Sequence, residues 1–256
     1  TVNGSLRQMI FPGEKLSIPF SVDGSSYRAR RDDVLSRVVE LRAKKLRSLP
    51  EGRINRNVTL AFSAEMVGLD EIQILDIENL QEPNGSVSYS PSATAFFALY
   101  IRRGDADAIT YLRNVAEKNR KIYNGGISNV APFDTFEPAW VLWNLKLTNI
   151  LDDSLLELCR PHLQFLCDAW IPEKGIGFTS VYTPKDADVT SFTFETLERF
   201  GQSVDISAVL SYEQDEYFRC YELEINPSIS ANIHVLGALR QAGYESSHPT
   251  VVKVAG

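Results

Sequence analysis

SPSATAFFALYI, residues 90–101, opens with a hydroxyl side chain and then a proline. A serine N-cap accepts a hydrogen bond from an unpaired helical N–H, and proline next to it has its φ preset for a helix, so the pair marks a helix start. The residues behind it are apolar around the whole helical circumference, which predicts a buried helix. Upstream, Asp32 and Asp33 open a run with Leu35, Val39 and Leu46 at helical spacing that stops at Pro50. Further helices are expected over 57–67 and 70–80. Downstream, they are expected over 105–118, over 134–147 (with Asp134 and Glu137 spaced as a capping box) and over 152–170, kinked or broken at Pro161. Three more follow, over 189–200, 206–218 and 230–242. No stretch alternates with period two, so the chain reads as all-α.

Asn84-Gly85-Ser86, Asn124-Gly125-Gly126 and Lys174-Gly175-Ile176-Gly177 each follow a helix and lead into another. Recurrence at about 40 to 50 residues is the size of a helix pair with its connections, and points to a stack or closed ring of helical hairpins. A change of character near Asn149–Asp153 divides the chain into residues 1–150 and 151–256. The 256 residues carry 26 basic against 33 acidic side chains, a formal charge of −7, with 44 % apolar residues. That balance excludes wholesale disorder and a nucleic-acid-coating role, which needs a basic surface. No apolar run approaches the ~20 residues of a membrane span, and TVNGSLRQMIFPG has no signal-peptide pattern. Three cysteines without a Cys-x-x-Cys pair suit a reducing cytoplasm.

Chemistry concentrates in KDADVTSFTFETLERFG, residues 185–201. Asp186 and Asp188 sit at a helix mouth, where carboxylates cap free N–H groups. The same pair has a chemical reading. Two carboxyls that close, in a dry apolar site, do not both ionise cheaply, so one keeps its proton and serves as a Brønsted acid.

These residues carry a resemblance. Asp186-Ala187-Asp188-Val189-Thr190 is similar to the D-x-D-D segment of class II terpene cyclases of the copalyl diphosphate synthase group. LRAKKLRSLP, NGSVSYSPSATAFFALYI, NGGISNVAPFDTFEPAWVLWNL, KGIGF and YFRCYELEINPSISANIHVLGAL follow in the family's order. The resemblance implies α/α barrel domains, with residues 1–150 γ-like and residues 151–256 the opening part of a catalytic β-like barrel. It implies an enzyme that cyclises a linear prenyl diphosphate, geranylgeranyl diphosphate above all, to a bicyclic copalyl-type diphosphate. Asp188 would be the general acid and Asp186 its support. Ser228 and Asn232, in the PSxSxN-type segment, would hydrogen-bond the acid. Aromatic faces for the cation are Trp140, Trp143, Trp170, Phe178 and Tyr182, any of which also reads as plain core. Arg219 is a candidate for the diphosphate. His234, two residues beyond Asn232, is either a neighbour of the acid or an ordinary satisfied histidine.

Three departures stand out. Val189 replaces the last Asp of D-x-D-D. Plant members making the ordinary copalyl skeleton carry Leu-His-Ser and Pro-Asn-Val segments that hold a water base; here the matching segments read Ala61-Phe62-Ser63 and Ser128-Asn129-Val130. Asn129 is kept as a catalytic candidate, whereas Phe62, placed against the substrate, cannot take a proton. The chain also stops at Gly256, about half-way round the second barrel, so a piece of a longer protein or a partner subunit completing the wall is expected. Mg²⁺ is implied by the resemblance alone, with no recognisable ligand set. Alternatives are cyclisation of another isoprenoid, such as farnesyl diphosphate or a prenylated aromatic, or a non-catalytic helical barrel that supports a prenyl-processing partner. A class I cyclase is disfavoured because no Asp-Asp-x-x-Asp cluster occurs.

Overall fold

The computed structural model describes residues 24–255 apart from Ser48, Pro50, residues 123–125, Asn149, Thr183, Leu223 and residues 225–226. Among the described residues there are α-helices, short 3₁₀ turns and isolated bridges, and no strand. The Asn124-Gly125 turn lies outside what is described. The chain divides into two compact units, one running to Asn129 without residues 56–59, the other from Val130 onward with them. That division comes earlier than the one expected near Ile150. Its cause is packing: the helix over 136–147 lies against helices that follow it.

In the first unit, α1 (Gly24–Arg47) starts well before Asp32. The helix expected over 70–80 does not form. Two single 3₁₀ turns, Ile72–Ile74 and Ile77–Asn79, flank Leu75, whose backbone is extended (φ −85°, ψ 128°). Leu75 bridges to Ile54 instead, with Ile54 N–H donating to Ile74 O at 2.9 Å and Asp76 N–H to Ile54 O at 2.9 Å. Ile54, Ile74 and Leu75 are buried, so a long-range pairing has overridden local helix preference. α2 (Pro91–Phe96) begins as its sequence requires: the Ser90 hydroxyl accepts from Ala93 N–H at 3.2 Å and Pro91 fills the first turn. It continues as a π-helical turn, Phe97–Ile101. Burial is one-sided, because Phe97 is enclosed while Leu99 and Tyr100 are exposed. α3 (Ala106–Ile122) is capped by Asp105, which accepts from Ala108 N–H at 2.9 Å.

The second unit holds α4 (Phe136–Leu147), α5 (Asp153–Ala169), α6 (Ala187–Arg199), α7 (Ser207–Leu210), α8 (Ile229–Gln241) and α9 (Pro249–Ala255). α6 is its centre, packed by α4, α5, α7 and α8. Every residue from Ala187 to Leu197 is buried except Asp188. The Asp134–Glu137 capping box is not made. Asp134 accepts from Ser180 N–H and from Ser180 Oγ (both 2.8 Å), and Thr135 donates to Gly177 O at 2.6 Å, so this helix start is tied to a distant loop. α5 runs unbroken through Pro161, with Asp152 as its cap. The helix expected over 206–218 is cut to one turn; the chain then doubles back, Gln214 N–H donating to Tyr217 O and Arg219 N–H to Tyr212 O. Gly175 must be glycine. Its φ is +78°, and a Cβ there would come within 2.3 Å of Thr190. Thr190 uses that closeness: its Oγ1 accepts from Ile176 N–H (3.1 Å) and donates to Ile176 O (2.9 Å), pinning the first turn of α6.

Candidate active site

Three separate elements place the acidic pair. Asp186 is the N-cap of α6, its Oδ1 accepting from Val189 N–H at 2.7 Å. Ala187 N–H donates to Cys220 O at 2.9 Å, so the segment after α7 is stitched across the peptide joining the two acids. Asp188 lies in the first turn, where its side chain keeps 26 % of its exposure in an otherwise buried helix. The capping and chemical readings are therefore compatible: Asp186 caps, and Asp188 faces outward. Val189 is buried in the core cluster, so the last position of the motif points where a carboxylate would be desolvated without a partner.

Burial is the main reason the Asp186 carboxyl is pushed up to about 7, and the charge of Asp188 adds to it; the Val189 N–H and Lys185 pull the other way. The neighbours respond in kind. The Cys220 thiol is pushed up to about 12, by burial first and then by Asp186, and burial likewise raises the Tyr212 hydroxyl. At neutral pH this corner of the site holds a thiol, a phenol and a carboxyl shared between its protonated and ionised forms.

The partner of Asp188 is His234. Its Nδ1 lies 2.8 Å from Asp188 Oδ1, and its side chain is 15 % exposed. Three rings enclose the imidazole at steep angles, with centroids of Trp140 at 5.8 Å, Trp143 at 6.1 Å and Phe192 at 5.5 Å. Trp140 in turn stacks on Phe136 and Trp143 and takes Phe192 edge-on. It remains 37 % exposed, so an aromatic face beside the acid meets the exterior of the unit.

The other expected residues divide clearly. Asn232 does not hydrogen-bond Asp188. Its Oδ1 accepts from Phe218 N–H and its Nδ2 donates to Phe218 O and Ser228 O, all at 2.9 Å, clamping the segment that reaches Cys220. Ser228 also makes no bond to the acid; it caps α8 by accepting from Ala231 N–H and pairs with Ser230. Trp170 and Tyr182 are core, and Phe178 packs at a tilt against Tyr182 and Phe133. Arg219, half-buried beside Tyr212, has its backbone N–H on Tyr212 O. Phe62 and the exposed Asn129 belong to the first unit. Sequence reasoning left His234 between two readings and missed Phe192 and Glu195. The available signal was spacing: Asp188, Phe192 and Glu195 lie at i, i+4 and i+7 on one helical face.

Among the described residues no group of three or more His, Cys, Asp or Glu side chains is placed to hold a metal ion. An apolar cleft of about 410 Å³ between α4 and α5, lined by Val141, Leu155 and Leu158, contains neither acid. Among the described residues no helix is long and apolar enough to cross a membrane.

No family model matches the chain. It is 43 % identical over 225 residues to a type B diterpene cyclase from Mycobacterium tuberculosis (strain ATCC 25618 / H37Rv), covering 87 % of this chain and 44 % of that protein. It is 30 % identical over 207 residues to the chloroplastic ent-copalyl diphosphate synthase of Pisum sativum, covering 80 % of this chain and 24 % of that one. Among solved structures it resembles ent-copalyl diphosphate synthase from Streptomyces platensis (TM-score 0.61, 22 % identity, 85 % of this chain and 41 % of that chain). It also resembles abietadiene synthase from Abies grandis (TM-score 0.65, 21 % identity, 96 % and 30 %). At those identities the structures establish the fold, that of the helical terpene cyclases. The chain spans less than half the length of each of these relatives.

Proposed function

We propose that this chain, whose sequence belongs with the class II diterpene cyclases of the copalyl diphosphate synthase kind, is the acid-bearing part of a proton-initiated cyclase. The substrate class is a linear prenyl diphosphate, geranylgeranyl diphosphate in the first instance, and the product a bicyclic copalyl-type diphosphate with the diphosphate still attached. Residues 151–256 would be the opening part of the catalytic barrel. The supporting observation is the contact of Asp188 Oδ1 with His234 Nδ1 at 2.8 Å inside a wall of Trp140, Trp143 and Phe192.

Each residue then has a task. His234 donates Nδ1–H to Asp188 Oδ1 and so orients the carboxyl, leaving Oδ2 to carry the transferable proton. Asp188 gives that proton to the terminal alkene: one C–H bond forms, the alkene π bond breaks, a tertiary cation is left, and Asp188 becomes a carboxylate. Alkenes farther along the chain attack in turn, and the bicyclic cation ends by losing a proton to a base other than Phe62. Asp186, beside Asp188, limits the negative charge near the acid when it is protonated. Trp140 offers a π face to the developing cation. Arg219 is the proposed diphosphate contact. No step is assigned to Mg²⁺. The three thiols, all free where described, support placement in the cytoplasm.

The test is incubation of the full protein with geranylgeranyl diphosphate and Mg²⁺ beside Asp188→Ala, followed by phosphatase treatment and mass spectrometry. A cyclic diterpene alcohol from the first and none from the second is expected. Linear geranylgeraniol alone from both would overturn the reading. Farnesyl diphosphate in parallel assigns the chain length.

A further inference from the structure

Glu195 is a carboxylate in the middle of the most buried helix of the second unit, and nothing in the proton transfer above uses it. Its side chain is 7 % exposed, and both oxygens are engaged. Oε1 pairs with Arg199 Nη2 one turn along α6, at 2.5 Å. Oε2 accepts from the Trp143 indole N–H at 3.2 Å, across to α4. From the third side α8 presses so close at Gly237 that a Cβ there would lie 2.7 Å from the same Oε2. Gly237 stands one turn beyond His234 on that helix.

Placing a charge there is expensive. A buried carboxylate forfeits its hydration, and one half-exposed arginine offsets that incompletely, so an apolar residue of similar volume would serve stability as well. What an apolar residue would not supply is a fixed acceptor for the indole. Trp143 stacks on Trp140 at 5.4 Å, and those two rings with Phe192 form the wall that encloses His234. An indole held at its N–H has its rotation about the ring axis fixed, and the imidazole packed against its edge inherits that register.

We propose that Glu195 is a positioning residue for the acid: by anchoring the Trp143 indole it sets the aromatic wall that keeps His234 Nδ1 on Asp188. The catalytic meaning rests on the reading of Asp188 given above, whereas the positioning itself does not.

Two measurements on the full protein separate these. The first is NMR of the imidazole protons. The chain has three histidines, so His234→Gln assigns the His234 signals, which ring currents from three aromatic neighbours displace from those of a free imidazole. Glu195→Ala and Gly237→Ala, the latter pushing the carboxylate aside while leaving it present, are expected to move the His234 signals. The His162 and His248 signals should stay in place, and Glu195→Gln, which keeps an acceptor for the indole, should restore the wild-type positions. The second is turnover of geranylgeranyl diphosphate. Glu195→Ala and Trp143→Phe should each lower kcat about tenfold with KM unchanged, and the double variant should lose no more than either alone. His234 signals that ignore Glu195→Ala, or single losses that multiply in the double variant, would overturn the proposal. A wild type that makes no cyclic product overturns the cyclase reading instead, and the NMR result then still decides for or against the anchor.

Discussion

Replacing Asp186 by Asn removes a charge and almost nothing else. Asparagine is as good an N-cap as aspartate, and its side-chain oxygen still accepts from Val189 N–H. The wild-type carboxyl titrates near 7 in the fold, chiefly because it is buried, against an ordinary 3.8. Between those values the folded protein holds a proton that the unfolded chain has released, so stability falls as pH rises. The loss is absent below pH 3.8, accumulates up to about 7, and is constant above. At about 1.4 kcal/mol per pH unit the whole span amounts to about 4 kcal/mol, a large share of the ~5–15 kcal/mol typical of a domain. Asp186→Asn lacks this term. Its stability minus that of the wild type should therefore grow by about 4 kcal/mol between pH 4 and pH 8.5, or about 10 °C in Tm at ~2–4 °C per kcal/mol. Urea unfolding of both proteins at half-unit pH steps measures it, and the difference curve cancels every group the two share. Parallel curves would mean that Asp186 ionises in the fold as freely as in water, and the account of two carboxyls sharing one desolvated corner would fail.

Other expectations follow from the same geometry. Replacing His234 by Gln should cut kcat about 100-fold with little change in KM, because the acid loses its orienting bond; an unchanged kcat on geranylgeranyl diphosphate would remove His234 from the mechanism. Thr190→Val leaves the Ile176 N–H and C=O without their partner at a buried site, and should cost about 1–3 kcal/mol in urea unfolding. Ser90→Ala deletes the cap of α2 and should cost about 1 kcal/mol, with no effect on turnover. Phe192→Ala should cost about 3–5 kcal/mol, because a fully buried ring touching Trp140 and His234 leaves a cavity.

Helix starts were legible wherever the local chain carries its own signal. Ser90-Pro91, Asp105 and Asp152 cap the helices they announce, because an N-cap needs only a side chain and the N–H two or three residues ahead. Two readings failed at residues whose partners are far away in sequence. Asp134 abandons its own helix for Ser180, and Leu75 leaves helical backbone for Ile54. In each case a long-range hydrogen bond satisfied a polar group that the local pattern would have used differently.

By itself the sequence determined the all-α class, from helical periodicity, and it put Asp186 and Asp188 at the mouth of one helix. The surroundings of the acids were decided only in three dimensions. Asn232 and Ser228 stand one helical turn apart and look equally fit to reach Asp188, but the direction in which α8 crosses α6 turns Asn232 onto the Phe218 backbone and His234 onto the acid. Glu195 likewise reads as one more charge in a helix until α4 and α8 close over it. A helical period says which residues share a face; the crossing of a second helix, set by the packing of everything between them, says which of those residues meet.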